Sequence, residues 1–366
     1  MQKTTASKPK YVVIGDRKFL ELRNSVLDKV SELERSRKWQ IKFKAICFPL
    51  LYVATYCLLL KYGNKLLALY LFYSLLGLVL VFNFLNLIHD AVHGILFRKK
   101  WLNQLYIYFF DLLGANSYIW KVRHIRLHHA YPNVMNWDSD LEQSPLVRIF
   151  PQSAHKDIHR FQHIYLPFIY PLYLFNWLLI RDFKDYFKKD SIARRIIKIP
   201  FNEYVKLFLF KAFFLGYLVV IPALFLNHSW FVILSGFFTM VITASIFSLL
   251  VLLSPHANIE SEFMVPDEHM NLKYPWFEHQ LKCTNDVSTE NFFTRFFMAN
   301  FNYHIAHHLF PNIHHIYYPE VTRLIKEFSS RHDLQYKSHD LFTCLAGHFR
   351  LLKHNSIKEN IFEETM

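Results

Sequence analysis

Glycine is scarce in this chain, with 8 in 366 residues, and cysteine is scarcer, with 4. Cys47, Cys57, Cys283 and Cys344 include no CxxC pair, which excludes a zinc ribbon and a disulfide framework. Cys47 and Cys57 fall in apolar sequence and read as small core residues. The first 40 residues hold no apolar run, so no cleavable signal peptide is expected. The first span would then serve as the insertion signal. There is no internal repeat and no low-complexity tract. The net charge of +13 raises the question of nucleic acid. No basic, aromatic-studded binding motif accompanies it, so no nucleic-acid partner is expected.

What the chain has instead is apolar and aromatic bulk. Half of it (52%) is hydrophobic and 18% is aromatic, including 37 Phe and 21 Tyr. Lipid-facing helices and interfacial belts use such a composition. Residues 1–44 read as a polar arm. Within it Phe19 to Trp39 is helix-compatible, with Leu20, Leu22, Val26, Val30 and Leu33 near one face. It suits either an amphipathic helix on the membrane surface or a solvated arm.

Four apolar runs read as spans of a hydrocarbon core of ~30 Å at ~1.5 Å per residue, the first being the shortest for that length. They cover residues 45–60, 66–88, 205–226 and 230–254, and short polar breaks pair them into two hairpins. Leu102–Gly114 and Ile164–Ile180 are interrupted by Asn, Asp or Pro and read as interfacial or re-entrant. The expected fold is therefore an all-α integral membrane protein. It has four transmembrane helices in two hairpins, interfacial helices and a cytoplasmic helical cap. Its membrane domain is residues 45–335, and 336–366 form a tail. The loops between paired spans carry only Lys61 and Lys65, with nearly all other Lys and Arg on the opposite side. That bias puts both termini in the cytoplasm.

The chain has 21 histidines, and three groups stand out. They are His89-Asp-Ala-Val-His93, His124-Ile-Arg-Leu-His128-His129 and His304-Ile-Ala-His307-His308. On an α-helix, residues at i, i+3 and i+4 share a face, so each group can aim its rings at one point. Neutral imidazole suits iron, zinc, copper and nickel. Eight imidazoles exceed the four that close a structural zinc site and suit two metals. About one HxxxH pair is expected by chance at this histidine frequency. Each three-histidine pattern has a chance probability of roughly 0.07, so finding both on one side carries weight. His228, His269, His314, His315, His332, His339, His348 and His354 read as surface or interfacial side chains. His155, His159 and His163 repeat at i+4 and read as structural or as support for a metal ligand.

These three boxes, flanked by two membrane hairpins, resemble the membrane fatty acid desaturase and hydroxylase superfamily. Trp120-Lys-Val-Arg-His124, His128-His129-Ala-Tyr-Pro-Asn and Asp138-Ser-Asp140 are similar to bacterial linoleoyl-CoA-type and front-end acyl desaturases. So are Arg160-Phe-Gln-His163-Ile-Tyr165 and Asn302-Tyr-His304-Ile-Ala-His307-His308-Leu-Phe-Pro311. The resemblance runs from about residue 40 to residue 335. It implies a non-haem site of two irons ligated by His89, His93, His124, His128, His129, His304, His307 and His308. The family places a further ligand just after the fourth span, where His256 stands; His279 is a lesser candidate. Front-end enzymes commonly begin the last box with Gln, and here it is His304, which makes nine nitrogens available. The His-Pro-Gly-Gly signature of a fused cytochrome domain is missing. Electrons are then expected from a separate donor, a ferredoxin or a cytochrome b5 type with its reductase.

The implied activity is O2-dependent desaturation of a fatty acyl chain, with no catalytic residue beyond the metal ligands. The enzyme would sit in a bacterial inner membrane, or in the endoplasmic reticulum of a eukaryote. Asp90, Asp138 and Asp140 are candidates to orient ligand imidazoles, with Asn302 helping at the last box. Lys121, Arg123 and Arg126 could attract a CoA or phospholipid headgroup, or simply set topology. A hydroxylase on the same scaffold is the near alternative and would add oxygen rather than remove hydrogen. A histidine-rich metal transporter would place its ligands near the midplane and use carboxylates there. The four spans contain no Asp or Glu, which speaks against it. An inactive scaffold would lack a box histidine, and none is lacking.

Overall fold

The long apolar runs fold as helices because a backbone in lipid must satisfy its own hydrogen bonds. A computed structural model describes residues 7–13, 17–142, 144–253 and 255–358. Residues 1–6 of the expected arm, 359–366 of the expected tail, and Ser254 at the end of the expected fourth span lie outside them. Among the described residues, five helical stretches are long and apolar enough to cross a membrane. They are α1 (Arg17–Tyr62), α2 (Leu66–Val92), α3 (Asp157–Ile196), α4 (Phe201–Phe225) and α5 (Trp230–Leu252).

The arm helix and the first span are one rod, since α1 runs unbroken for 46 residues past Pro49. Its N-terminal half does not lie free on a membrane surface. Leu22 and Val26 are buried against Ile305, Leu309, Val321 and Ile325 of the cap. The hairpin of α1 and α2 packs on α5 in the core. Gly77 of α2 lies so close to the Met240 carbonyl of α5 that any side chain there would collide with it. Tyr73 reaches across to donate its hydroxyl to the Leu218 carbonyl of α4 (2.6 Å). The outer faces carry Ile46, Leu50, Val53, Phe208, Leu224 and Phe231, all exposed, as lipid-facing helices require. Cys57 is exposed on that face and Cys47 is half-buried, so neither is a core residue.

The α3 stretch, read from sequence as interfacial, is as apolar as a span but irregular. It passes through 3-10 turns at Asp157–Phe161 and Tyr170–Leu172 and a π-turn at Trp177–Arg181. The cap is built from short helices. They include α6 (His304–Leu309), α7 (Tyr318–Arg331) and α8 (Leu341–His354), with a two-residue parallel pairing of Asp286–Val287 with Ser338–His339. Leu351 and Leu352 of α8 bury against Ile149, Phe150, Leu166 and Ala257, so residues 338–354 are folded onto the domain.

Candidate metal centre

The first box sits where α2 changes pitch. A π-turn over Phe84–Ile88 leads directly into His89, and His93 caps the helix. Such turns re-aim side chains and recur at functional sites. The second box lies on another π-turn, Val122–His128, in which the His129 N–H donates to the His124 carbonyl five residues back (2.9 Å). The third box lies on α6.

The boxes do not each aim at one point, as an α-helical reading of their spacing suggested. The second and third are split between two foci. His89, His93, His124, His129 and His307 form one group, with ligand atoms all within 4.8 Å of one another. His128, His256, His304 and His308 form the other, to the same tolerance. The split follows from local geometry. On a π-turn residues five apart share a face, so His124 and His129 point together and His128 points away. On α6, His304 and His308 at i and i+4 share a face, and His307 turns to the other group.

Each ring has an inner and an outer nitrogen. On the outer side, His128 Nδ1 faces the Asp138 carboxylate at 3.0 and 3.1 Å. His124 Nδ1 lies 3.5 Å from Asp140, and His89 Nδ1 lies 3.7 Å from Asp90. His256 Nδ1 donates to the Cys283 carbonyl (3.2 Å), and His308 Nδ1 donates to Gln280 Oε1 (3.0 Å). His307 Nδ1 meets the Tyr318 hydroxyl at 3.1 Å. At His128, His256 and His308, whose partners can only accept, these contacts fix the hydrogen on Nδ1 and leave the inner lone pair bare.

The inner nitrogens converge. His124 Nε2 lies 3.1 Å from both His89 Nε2 and His129 Nε2. His256 Nε2 lies 2.8 Å from His308 Nε2 and 3.0 Å from His304 Nε2. Burial, reinforced by neighbouring rings, holds His129, His256, His304, His307 and His308 well below the usual imidazole range. Burial likewise pushes His124 down to about 3. At His128 burial acts the same way, but the charge and hydrogen bond of Asp138 outweigh it and raise the ring. Bare lone pairs at 2.8–3.1 Å repel unless a cation lies between them. Two nitrogens that each bind one metal at ~2.1 Å can lie no more than ~4.2 Å apart, and these pairs fall inside that reach. The donor sets therefore fit bound metal.

Other expected site residues are placed differently. His279 turns its Nε2 to the Pro132 carbonyl (2.7 Å) and joins neither group. Asn302 exchanges hydrogen bonds with Val287, and His163 sits on α3 away from both groups. His159 and His155 tie to the carbonyls of Pro145 and Ser356. His314, His315 and His348 are buried rather than superficial. The first two flank Asp90, and His348 bridges Tyr170 and the Ala257 carbonyl. Gln280, Tyr318 and the Cys283 carbonyl were not visible from sequence, because they lie 11 to 28 residues from the rings they support.

An apolar cavity of about 440 Å³ abuts the site. Its walls include His89, His124, His128, His256 and His304 on one side, and Phe84, Trp177, Leu249 and Leu252 on the other.

The profile of the fatty acid desaturase family matches residues 65–339. The chain is 30% identical over 273 residues to the sn-1 linoleoyl-lipid 6-desaturase of Arthrospira platensis, covering 74% of each protein. It is 30% identical to the enzyme of that name from Synechocystis sp., covering 73% of this chain and 75% of the relative. An acyl-lipid (8-3)-desaturase of Physcomitrium patens is 27% identical over 84% of this chain and 65% of its own length. Buried histidine groups, apolar helices and these matches agree: the chain belongs to the fatty acid desaturase family and is a membrane oxidoreductase acting on fatty acyl chains.

Proposed function

We propose that the nine histidines hold two iron ions and that the protein desaturates an acyl chain attached to a lipid or CoA carrier. In the reaction –CH2–CH2– gives up two hydrogen atoms to become –CH=CH–, and these, with O2, two electrons from the donor and two protons, make two waters. The irons would supply the dioxygen activation that no ordinary side chain offers for an unactivated methylene. A separate protein, of ferredoxin or cytochrome b5 type, would deliver the electrons. The observation that carries this reading is the cavity itself: five site histidines wall a largely apolar space of about 440 Å³. An acyl chain lying there has its methylenes against both histidine groups and is screened from water.

The carrier would sit in an adjoining polar cavity of about 370 Å³. The two spaces share Leu141, Ser144, Val147, Ile149 and Arg181 as walls. Lys156, Lys184 and Arg195 line the polar one, with Glu142 and Asp190 among its acidic groups. Lys121, Arg123 and Arg126, which could attract a headgroup or simply set topology, lie elsewhere. Arg123 is fully buried and paired with Asp185 (2.5 Å), and the other two line a separate cavity.

Both histidine-bearing segments must face the same side for their rings to meet. The chain therefore crosses the membrane an even number of times between His129 and His256. With α4 and α5 crossing, α3 stays on the side of the site. This favours four spans with both termini on the side of the site, which the Lys and Arg bias assigns to the cytoplasm. The test is to purify the protein, count its iron, and follow O2 uptake with reduced donor and acyl substrate. About two irons per chain and uptake dependent on acyl substrate support the reading. Metal-dependent uptake into vesicles without O2 consumption would replace it with transport.

A further inference from the structure

Lys44 lies in α1 at the edge of the first apolar run and is 2% exposed. A buried ammonium needs an acceptor for each of its hydrogens. Lys44 Nζ has three: Asn86 Oδ1 (2.7 Å), the Arg295 carbonyl (3.3 Å) and His315 Nε2 (3.2 Å). The opposite nitrogen, His315 Nδ1, lies 2.7 Å from Asp90 Oδ2. His314 Nε2 lies 3.0 Å from the same oxygen. The other Asp90 oxygen faces His89 Nδ1 at 3.7 Å. All four residues are buried, and they come from α1, the first box and the loop after the third box.

The hydrogens in this chain of contacts can be assigned by elimination. Lys44 only donates, so His315 Nε2 accepts and His315 Nδ1 carries the hydrogen that Asp90 receives. His314 Nδ1 accepts from the Ile316 N–H (3.3 Å), so its Nε2 carries the hydrogen; that atom lies close to Asp90 without the angle of a hydrogen bond. Asp90 is then an anion that accepts from His315, and Lys44 is its countercharge across one imidazole; burial lowers the Lys44 ammonium to about 7, and the charge of Asp90 acts against that.

Two histidines and a carboxylate can also hold a divalent metal. Lys44 weighs against that use. Metal on His315 Nδ1 would put the ring hydrogen on Nε2, facing the ammonium hydrogens across 3.2 Å.

Resting on the two-iron reading, we propose that Lys44, His315, His314 and Asp90 form a charge-balanced brace. It orients the His89 ring and sets the reduction potential of the metal that His89 holds. These are positioning residues; none of them touches substrate. An unbalanced charge beside His89 must be felt by the metal, because a buried site screens poorly. Lys44→Met leaves the Asp90 charge unopposed, favours the oxidised metal and lowers the potential. Asp90→Asn, of the same shape, removes the anion and raises it. The double variant restores neutrality and returns toward the parent value.

The experiment uses purified full-length protein loaded with iron. Metal is counted first, and the potential is then titrated spectroscopically for the parent, both single variants, the double variant and Lys44→Arg. The expected result is two irons in each, opposite shifts in the single variants, cancellation in the double, and a near-parent value for Lys44→Arg. Shifts of the same sign, no shift, or a third metal equivalent that Asp90→Asn abolishes would overturn the brace. Should Lys44→Met not fold, Asp90→Asn alone must raise the potential with metal retained, and failure to do so overturns it as well. A parent protein without iron would instead indict the two-iron reading, so the two failures are separable.

Discussion

Replacing His256 with Ala is expected to empty one metal position and spare the other. His256 stands outside the three boxes, yet its Nε2 lies 2.8 and 3.0 Å from the Nε2 atoms of His308 and His304. It contributes one of four nitrogens to its group and none of the five in the other. Losing a mere outer partner of a metal-bound histidine typically costs 10–100-fold in affinity, ~1.4–2.7 kcal/mol. Losing a ligand itself belongs at or beyond the upper end. The second group should then fall about 100-fold or more in affinity, while the first keeps its full set of nitrogens. Iron measured on dialysed, purified protein should drop from about two per chain to about one, and desaturation should be lost. His93→Ala is the mirror experiment on the other group. Loss of both metals in each variant, or of neither, would refute the division into two foci.

Further expectations follow from the same geometry. Tyr318→Phe removes the hydroxyl 3.1 Å from His307 Nδ1 and should weaken metal in the first group roughly tenfold, read by competition with a chelator. Trp177→Ala removes a wall shared by the acyl cavity and a small apolar space lined by Leu80, Leu113 and Leu174. Its products should shift toward longer chains on chromatography, and an unchanged profile would show that Trp177 does not limit depth. Stripping the metals should lower the thermal unfolding midpoint, since a ligand held at 1,000 times its Kd adds ~4 kcal/mol to the native state. An unchanged midpoint would mean that the histidine groups are stable without a cation.

The boxes were legible in sequence because helical spacing brings histidines together locally. Their division between two foci was not, because it depends on a π-turn under His124–His129 that periodicity does not announce. Outer partners such as Gln280 and Tyr318 were hidden for a different reason: they reach the rings through tertiary packing. His314 and His315 looked like surface residues, since no local pattern marks a pair whose anion, Asp90, is more than 200 residues away. The long apolar helices at α2, α4 and α5 followed from apolar length alone. The full length of the α3 stretch did not, because Asp182 and Arg181 end its apolar run while Lys211 and Asp140 pair with them inside the fold. Polar residues that a hydropathy reading counts against burial are, in this fold, buried with their partners.

The most direct measurement is the mass of the product. The protein would be expressed with a compatible donor in a host with its own acyl pool, beside a His128→Ala variant, and fatty acid methyl esters analysed by mass spectrometry. The account predicts a new ester two mass units lighter than its parent, absent from the variant. A product sixteen units heavier, with no lighter species, would contradict desaturation and establish a hydroxylase on the same histidine scaffold.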